Sequence, residues 1–244
     1  MSMQLGFSML VICLALSALS AGEVYVPESG SAEGKGAKPG ATVYDPALPN
    51  ILIIGDSISL GYTPFVVKLL AGKANVLHAP GNNQGTTHGL TGIKEWLKPH
   101  MGKPWAVIHF NWGLHDLKHV DATTKANSNK AEDPPQADLA TYTSNLTTLT
   151  TELVASGAQL IFATTTPYPD GVSPFRDPAD AARYNAAARS VVSKHHITIN
   201  DLHEFTAPQL GELQLPKNVH FKPTGSEAMA GEVANAILRK LEKP

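Results

Sequence analysis

From Asn50 onward the chain alternates short apolar runs with longer amphipathic stretches. The runs are residues 51–54, 75–78, 106–110, 160–163 and 197–199. Each is short, β-branched and nearly continuous, as expected of a strand buried on both faces. Between them the period changes. Leu139, Tyr142, Leu146, Leu149 and Leu153 recur at three and four residues and form one helical stripe. Residues 179–195 are Ala-rich without a breaker. A last helix is predicted to open at Thr224-Gly225-Ser226-Glu227, a capping-box pattern, and to run through Val233, Ile237 and Leu241. Strand–helix alternation of this kind predicts a parallel sheet with helices on both faces, whose ligand crevice lies beyond the carboxyl ends of the strands. The polar segment 118–136, with Pro134-Pro135, reads as an insertion after the third strand and a candidate lid or substrate-binding loop.

The amino-terminal stretch has a different pattern. Leu10 to Leu16 is an apolar run too short to span a bilayer comfortably, and small residues follow it (Ser17, Ala18, Ser20, Ala21). Residues 1–22 therefore read as a signal peptide. The lack of a basic residue before the run leaves a retained anchor as the alternative. Residues 23–49, rich in Gly, Ala, Ser and Pro, read as a flexible linker, and 50–244 as one domain. Cys13 is the only cysteine, so a mature chain has no disulfide, thiolate chemistry or Cys-zinc site. Export without cysteines suits a bacterial envelope, and the expected location is secreted or periplasmic. A net charge of −2 argues against a nucleic-acid partner.

The chemistry concentrates at the predicted strand ends. In Ile53-Ile54-Gly55-Asp56-Ser57-Ile58-Ser59-Leu60-Gly61 an apolar strand stops at a glycine, presents a serine and enters a helix. A serine there meets the free N–H groups and positive dipole end of the helix, which favour negative charge developing beside it. Taken alone, Ser57 also fits a plain helix cap. In Leu215-Pro216-Lys217-Asn218-Val219-His220-Phe221, a loop histidine precedes the last helix and can take a proton from Ser57. Two further loops, Pro80-Gly81-Asn82-Asn83-Gln84-Gly85-Thr86-Thr87 and Phe110-Asn111-Trp112-Gly113-Leu114-His115-Asp116, follow the second and third strands and can aim donors at an oxyanion.

These four blocks, in this order, resemble the SGNH hydrolase superfamily, also called GDSL esterases, over essentially all of residues 50–244. The resemblance implies a three-layer α/β/α sandwich with a flavodoxin-like, five-stranded parallel sheet. It implies Ser57 as nucleophile, His220 as base, the Ser57 N–H as one oxyanion donor and a block-two glycine as the second. Gly81 is favoured there, with Gly85 the alternative. Arg183-Tyr184-Asn185 and Asp201-Leu202 also fall where such proteins often have them. Two positions depart from the family pattern. His115 stands where an asparagine side chain usually donates to the oxyanion, a role a neutral imidazole can also fill. Lys217 stands where an aspartate usually orients the histidine, and a lysine cannot accept the ring N–H. Asn218 or a backbone carbonyl is then expected to orient His220.

The expected activity is hydrolysis of carboxylic esters without metal or cofactor. The favoured substrates are O-acetyl groups on extracellular carbohydrate, as small molecules or polysaccharide. Membrane insertion is not expected after removal of the leader. Trp112, Tyr168 and Phe175 are candidates for stacking on sugar rings. His115 and His119, four apart, make a weak metal pattern with no evident third ligand. The rival readings are a lipid esterase or lysophospholipase, and a catalytically silent carbohydrate-binding protein on the same scaffold.

Overall fold

The computed structural model describes residues 44–242. The predicted signal peptide and most of the predicted linker lie outside the described residues.

Five parallel strands form one sheet in the order β2-β1-β3-β4-β5, the flavodoxin-like arrangement the sequence implies. They are β1 (Asn50–Ile54), β2 (Asn75–His78), β3 (Trp105–Phe110), β4 (Gln159–Ala163) and β5 (Thr198–Asn200). Each lies within a residue of its apolar run, because a strand covered on both faces must be apolar along its whole length. All five residues of β1 are buried. Helices α1 (Ser57–Leu69), α2 (Thr86–Trp96), α3 (Leu139–Ala155) and α4 (Asp180–Val192) make the connections. Two short helices, α5 (Leu202–Thr206) and α6 (Leu210–Leu213), lead to the long α7 (Pro223–Leu241). Right-handed crossovers place α1 on one face, where it packs against α7, and α2, α3 and α4 side by side on the other.

The capping-box expectation for α7 is corrected. The helix starts at Pro223, with Lys222 as its cap residue and no side-chain cap bond, so Thr224 lies inside the first turn. Proline at the first helical position carries the φ the helix needs and lacks the N–H that would otherwise go unpaired.

Two polar features place the functional end. Asn185 clamps the loop after β4: its Oδ1 accepts from Thr165 N and its Nδ2 donates to Thr165 O, both at 2.8 Å. The insertion 118–136 is stitched rather than hinged. His119 N donates to Phe175 O (2.9 Å) and Phe175 N to Ser128 O (2.8 Å), so it forms a fixed wall with the loop after β4.

The end of the predicted linker belongs to the folded body. Asn75 Nδ2 donates to Asp45 O (2.8 Å), and Asp45 N returns a bond to Asn75 Oδ1 (3.0 Å). Lys103 Nζ holds Leu48 O at 2.6 Å. Residues 44–49 are thus strapped to the amino ends of β1 and β2. Asn75→Ala leaves these backbone groups without their partner. It is expected to cost about 1–3 kcal/mol, read as a lower urea midpoint at unchanged slope.

Candidate active site

Ser57 lies at the first position of α1, where β1 delivers the chain to the carboxyl edge of the sheet. Asp56 is the cap residue; its Oδ1 accepts from Ile58 N at 2.9 Å and holds the strand–helix corner. This leaves the Ser57 N–H without an intramolecular partner, as helix geometry requires of a first-turn donor.

The structure brings His220 to Ser57 across 163 residues of chain: His220 Nε2 lies 2.9 Å from Ser57 Oγ. Its other ring nitrogen, Nδ1, lies 2.8 Å from Asn218 Oδ1, and the His220 backbone N–H donates to that same oxygen at 3.0 Å. The backbone contact settles which way the amide points. An N–H can only donate, so the atom facing it is the carbonyl oxygen. That oxygen can hold Nδ1 only if Nδ1 carries the proton. The remaining lone pair is therefore on Nε2, facing the serine hydroxyl, as proton transfer requires. Asn218 fills the position for which Lys217 is unsuited. Lys217 itself is exposed and adopts φ +51 in the turn.

Block two separates its glycines. Gly85 caps α2, and a Cβ there would meet the Asp116 carboxylate at 3.0 Å, so close packing accounts for it. Gly81 has φ +70 and open space around it; among the described residues neither the Gly81 nor the Gly85 N–H has an intramolecular partner. The loop is held in place by Asn83, whose Oδ1 accepts from Gly55 N at 3.0 Å while its own N–H donates to Gly55 O at 3.0 Å.

In block three, Asp116 is fully buried and accepts from Thr86 N (2.9 and 3.1 Å) and Thr86 Oγ1 (2.5 Å). Burial pushes its carboxyl up to about 6 against those bonds. His115 Nδ1 is sealed from solvent without a partner, which leaves Nε2 as the ring atom open to the site. Burial first, then the nearby cations, push the His115 imidazole down to about 3, so it is neutral at working pH. Burial and then the positive charge of Arg176 hold His220 below the ordinary histidine range.

Two of the three expected sugar-stacking aromatics are corrected. Trp112 is fully buried among the core side chains, and Tyr168 is buried with its hydroxyl bonded to Asp177 O at 2.8 Å. Phe175 packs edge-on against His119. His119 is absorbed in the insertion, with Nδ1 3.2 Å from Lys130 O. Arg176 was not legible as a site residue. It is a single arginine in a loop, and only the fold sets it beside Leu114, 62 positions away.

Together, a hydroxyl at a strand–helix corner, an imidazole with its free lone pair on it and an amide behind the imidazole make an arrangement that fits serine-type hydrolysis, on a doubly wound α/β fold. The sequence model of the GDSL-like Lipase/Acylhydrolase family matches residues 53–228, well over half of the chain. The chain belongs to that family and is an ester-bond hydrolase. Among solved structures it is similar to a lipase/acylhydrolase from Enterococcus faecalis (22% identity, TM-score 0.61, 78% of this chain and 95% of that one). It is also similar to an acetyl xylan esterase, AlAXEase (13%, TM-score 0.60, 77% and 99%), and to the psychrotrophic esterase EstA from Pseudoalteromonas sp. (14%, TM-score 0.59, 80% and 99%). At these identities the likeness is one of fold. A search of curated proteins found no match.

If His220 is the base, it works only unprotonated, so kcat/KM is expected to fall on the acid side with a midpoint below 6.5. A carboxylate in place of the amide favours the imidazolium. Asn218→Asp is thus expected to move that midpoint to higher pH, and a pH–rate profile of both forms checks it.

Proposed function

We propose that the protein hydrolyses short-chain carboxylic esters, above all O-acetyl groups on carbohydrate, through an acyl-enzyme on Ser57. The observation that carries this is the Ser57 Oγ–His220 Nε2 contact of 2.9 Å, with Asn218 fixing the tautomer behind it. Ser57 Oγ attacks the ester carbonyl carbon while its proton passes to His220 Nε2. In this reading the oxyanion is held by the Ser57 N–H, the Gly81 N–H and the His115 Nε2–H. Collapse of the tetrahedral intermediate breaks the bond to the alcohol oxygen, which takes the proton from His220. A water, deprotonated by His220, then releases the acid and restores Ser57.

The short acyl group is supported by where apolar surface lies. The exposed large apolar side chains among the described residues are Leu69, Leu90, Met101 and Val154. Leu69 and Val154 lie at the carboxyl ends of α1 and α3 and Met101 precedes β3, all toward the amino edge of the sheet, while Leu90 stands alone within α2. A lipid esterase needs a trough at the carboxyl edge for its acyl chain. The carbohydrate part of the reading rests on the polar insertion, on the predicted export through residues 1–22, and on the fold shared with an acetyl xylan esterase.

Hydrolysis of p-nitrophenyl acetate tests the chemistry. Ser57→Ala and His220→Ala are each expected to lower kcat by on the order of 10^4-fold or more. Unchanged traces would return the silent carbohydrate-binding reading. Rates on p-nitrophenyl esters are expected to fall from acetate to octanoate, and a rise would favour the lipid esterase. His115→Ala is expected to cost on the order of 10^2-fold in kcat, and His115→Asn, which restores an N–H donor, to recover much of it.

A further inference from the structure

The loop after β4 carries a charge that the acyl-transfer steps do not use. Arg176 is only 6% exposed. Its Nε donates to Leu114 O at 3.0 Å and its Nη1 to Pro174 O at 3.1 Å, both neutral acceptors. Among the described residues no carboxylate stands within ion-pair distance of the guanidinium. Its Nη2 makes no hydrogen bond among the described residues, yet it is not one of the polar atoms sealed from solvent. A guanidinium is always charged, and burying one without a counter-ion is costly unless an anion completes it.

The charge sits at the reacting centre. Leu114, which accepts the Nε bond, directly precedes His115 and lines the same crevice as Asp56, the neighbour of Ser57. Arg176 is close enough to depress both His220 and His115. On the same flank Lys118, half-buried at the root of the insertion, makes neither an ion pair nor a side-chain hydrogen bond among the described residues, and its charge also lowers the His115 imidazole. Of the nearby carboxylates, Asp116 holds Thr86 and Asp180 pairs with Arg183, while Asp56 caps α1 through Oδ1. The Asp56 charge attracts Arg176 but forms no ion pair with it, so the guanidinium Nη2 stays open to a further anion.

We propose that Arg176 and Lys118 form an anion subsite beside Ser57 and that the preferred esters carry a carboxylate on their alcohol part, as O-acetylated acidic sugars of the uronate type do. This rests on the esterase reading above. The acetyl group itself has no place for a charge, so the anion belongs to the alcohol. The planar guanidinium fork, with Nη2 free, matches a carboxylate, and Lys118 adds a point charge.

The test compares an O-acetylated methyl glucuronoside with the matching methyl glucoside, which differ only in carboxylate against hydroxymethyl. On the full chain, kcat/KM is expected to be about 10- to 100-fold higher for the uronate, carried mainly by KM and shrinking as salt is added. Arg176→Gln is expected to abolish the preference, Arg176→Lys to keep part of it, and Lys118→Gln to reduce it. No preference in the wild type overturns the proposal, as do equal losses on both sugars in Arg176→Gln, which would make Arg176 a strut between loops. If Arg176→Gln does not fold, a preference indifferent to both salt and Lys118→Gln overturns it equally. Ser57-dependent turnover of p-nitrophenyl acetate, run alongside, separates the two readings. Its absence refutes the esterase, whereas turnover without charge preference refutes only the subsite.

Discussion

Two carboxylates buried beneath the carboxyl edge of the sheet hold the rest of the site in place. Asp56 anchors the amino terminus of α1 through Ile58 N, and Asp116 anchors that of α2 through Thr86 N and Oγ1. Burial raises both to about 6, while hydrogen bonds from helix amino termini pull the other way. A buried carboxylate tolerates little displacement of its donors, because an unmet charge there costs far more than a surface pair is worth. Ser57 follows one of these residues and His115 precedes the other. The positions of the hydroxyl and the imidazole are therefore set by polar anchors below them, with no dependence on a mobile loop. Asn83, tied twice to Gly55, sets the loop that carries Gly81 in the same way.

On this frame the proton-transfer line differs from one built with a carboxylate behind the histidine. Asn218 orients the ring and fixes its tautomer but brings no negative charge, while Arg176 adds a positive one. Both favour a neutral His220, and in the proposed mechanism both would make its imidazolium less stable. The arrangement exchanges some driving force for proton abstraction against a base that remains free in mildly acidic surroundings. In the proposed reaction the same cationic flank would bear on both the base and the choice of ester.

The strands and the corner that carries Ser57 could be read from the sequence because their causes are local. A strand covered on both faces must be apolar along its length, and all five runs match to within a residue. A strand that ends in Gly-Asp-Ser and enters a helix puts that serine at a sheet edge whatever the rest of the chain does. Where a local signal competed with another, reading was less secure. Thr224 and Glu227 fit a capping box, yet Pro223 begins the helix one residue earlier, and residues 44–49 look like linker by composition but are claimed by Asn75 and Lys103.

What the sequence by itself determined was the layer order, the sheet, and the placing of Ser57 and His220 at its carboxyl edge, since periodicity and strand–helix corners act over a few residues. The tertiary structure alone decided which side chain stands behind His220, how each glycine of the second loop is packed, that Trp112 and Tyr168 serve the core, and that Arg176 lies against Leu114. Each of these depends on groups brought together from distant parts of the chain, or on the direction of one amide or one loop. No pattern of residue types along the sequence encodes such contacts, because their energy arises only when burial removes water from both partners.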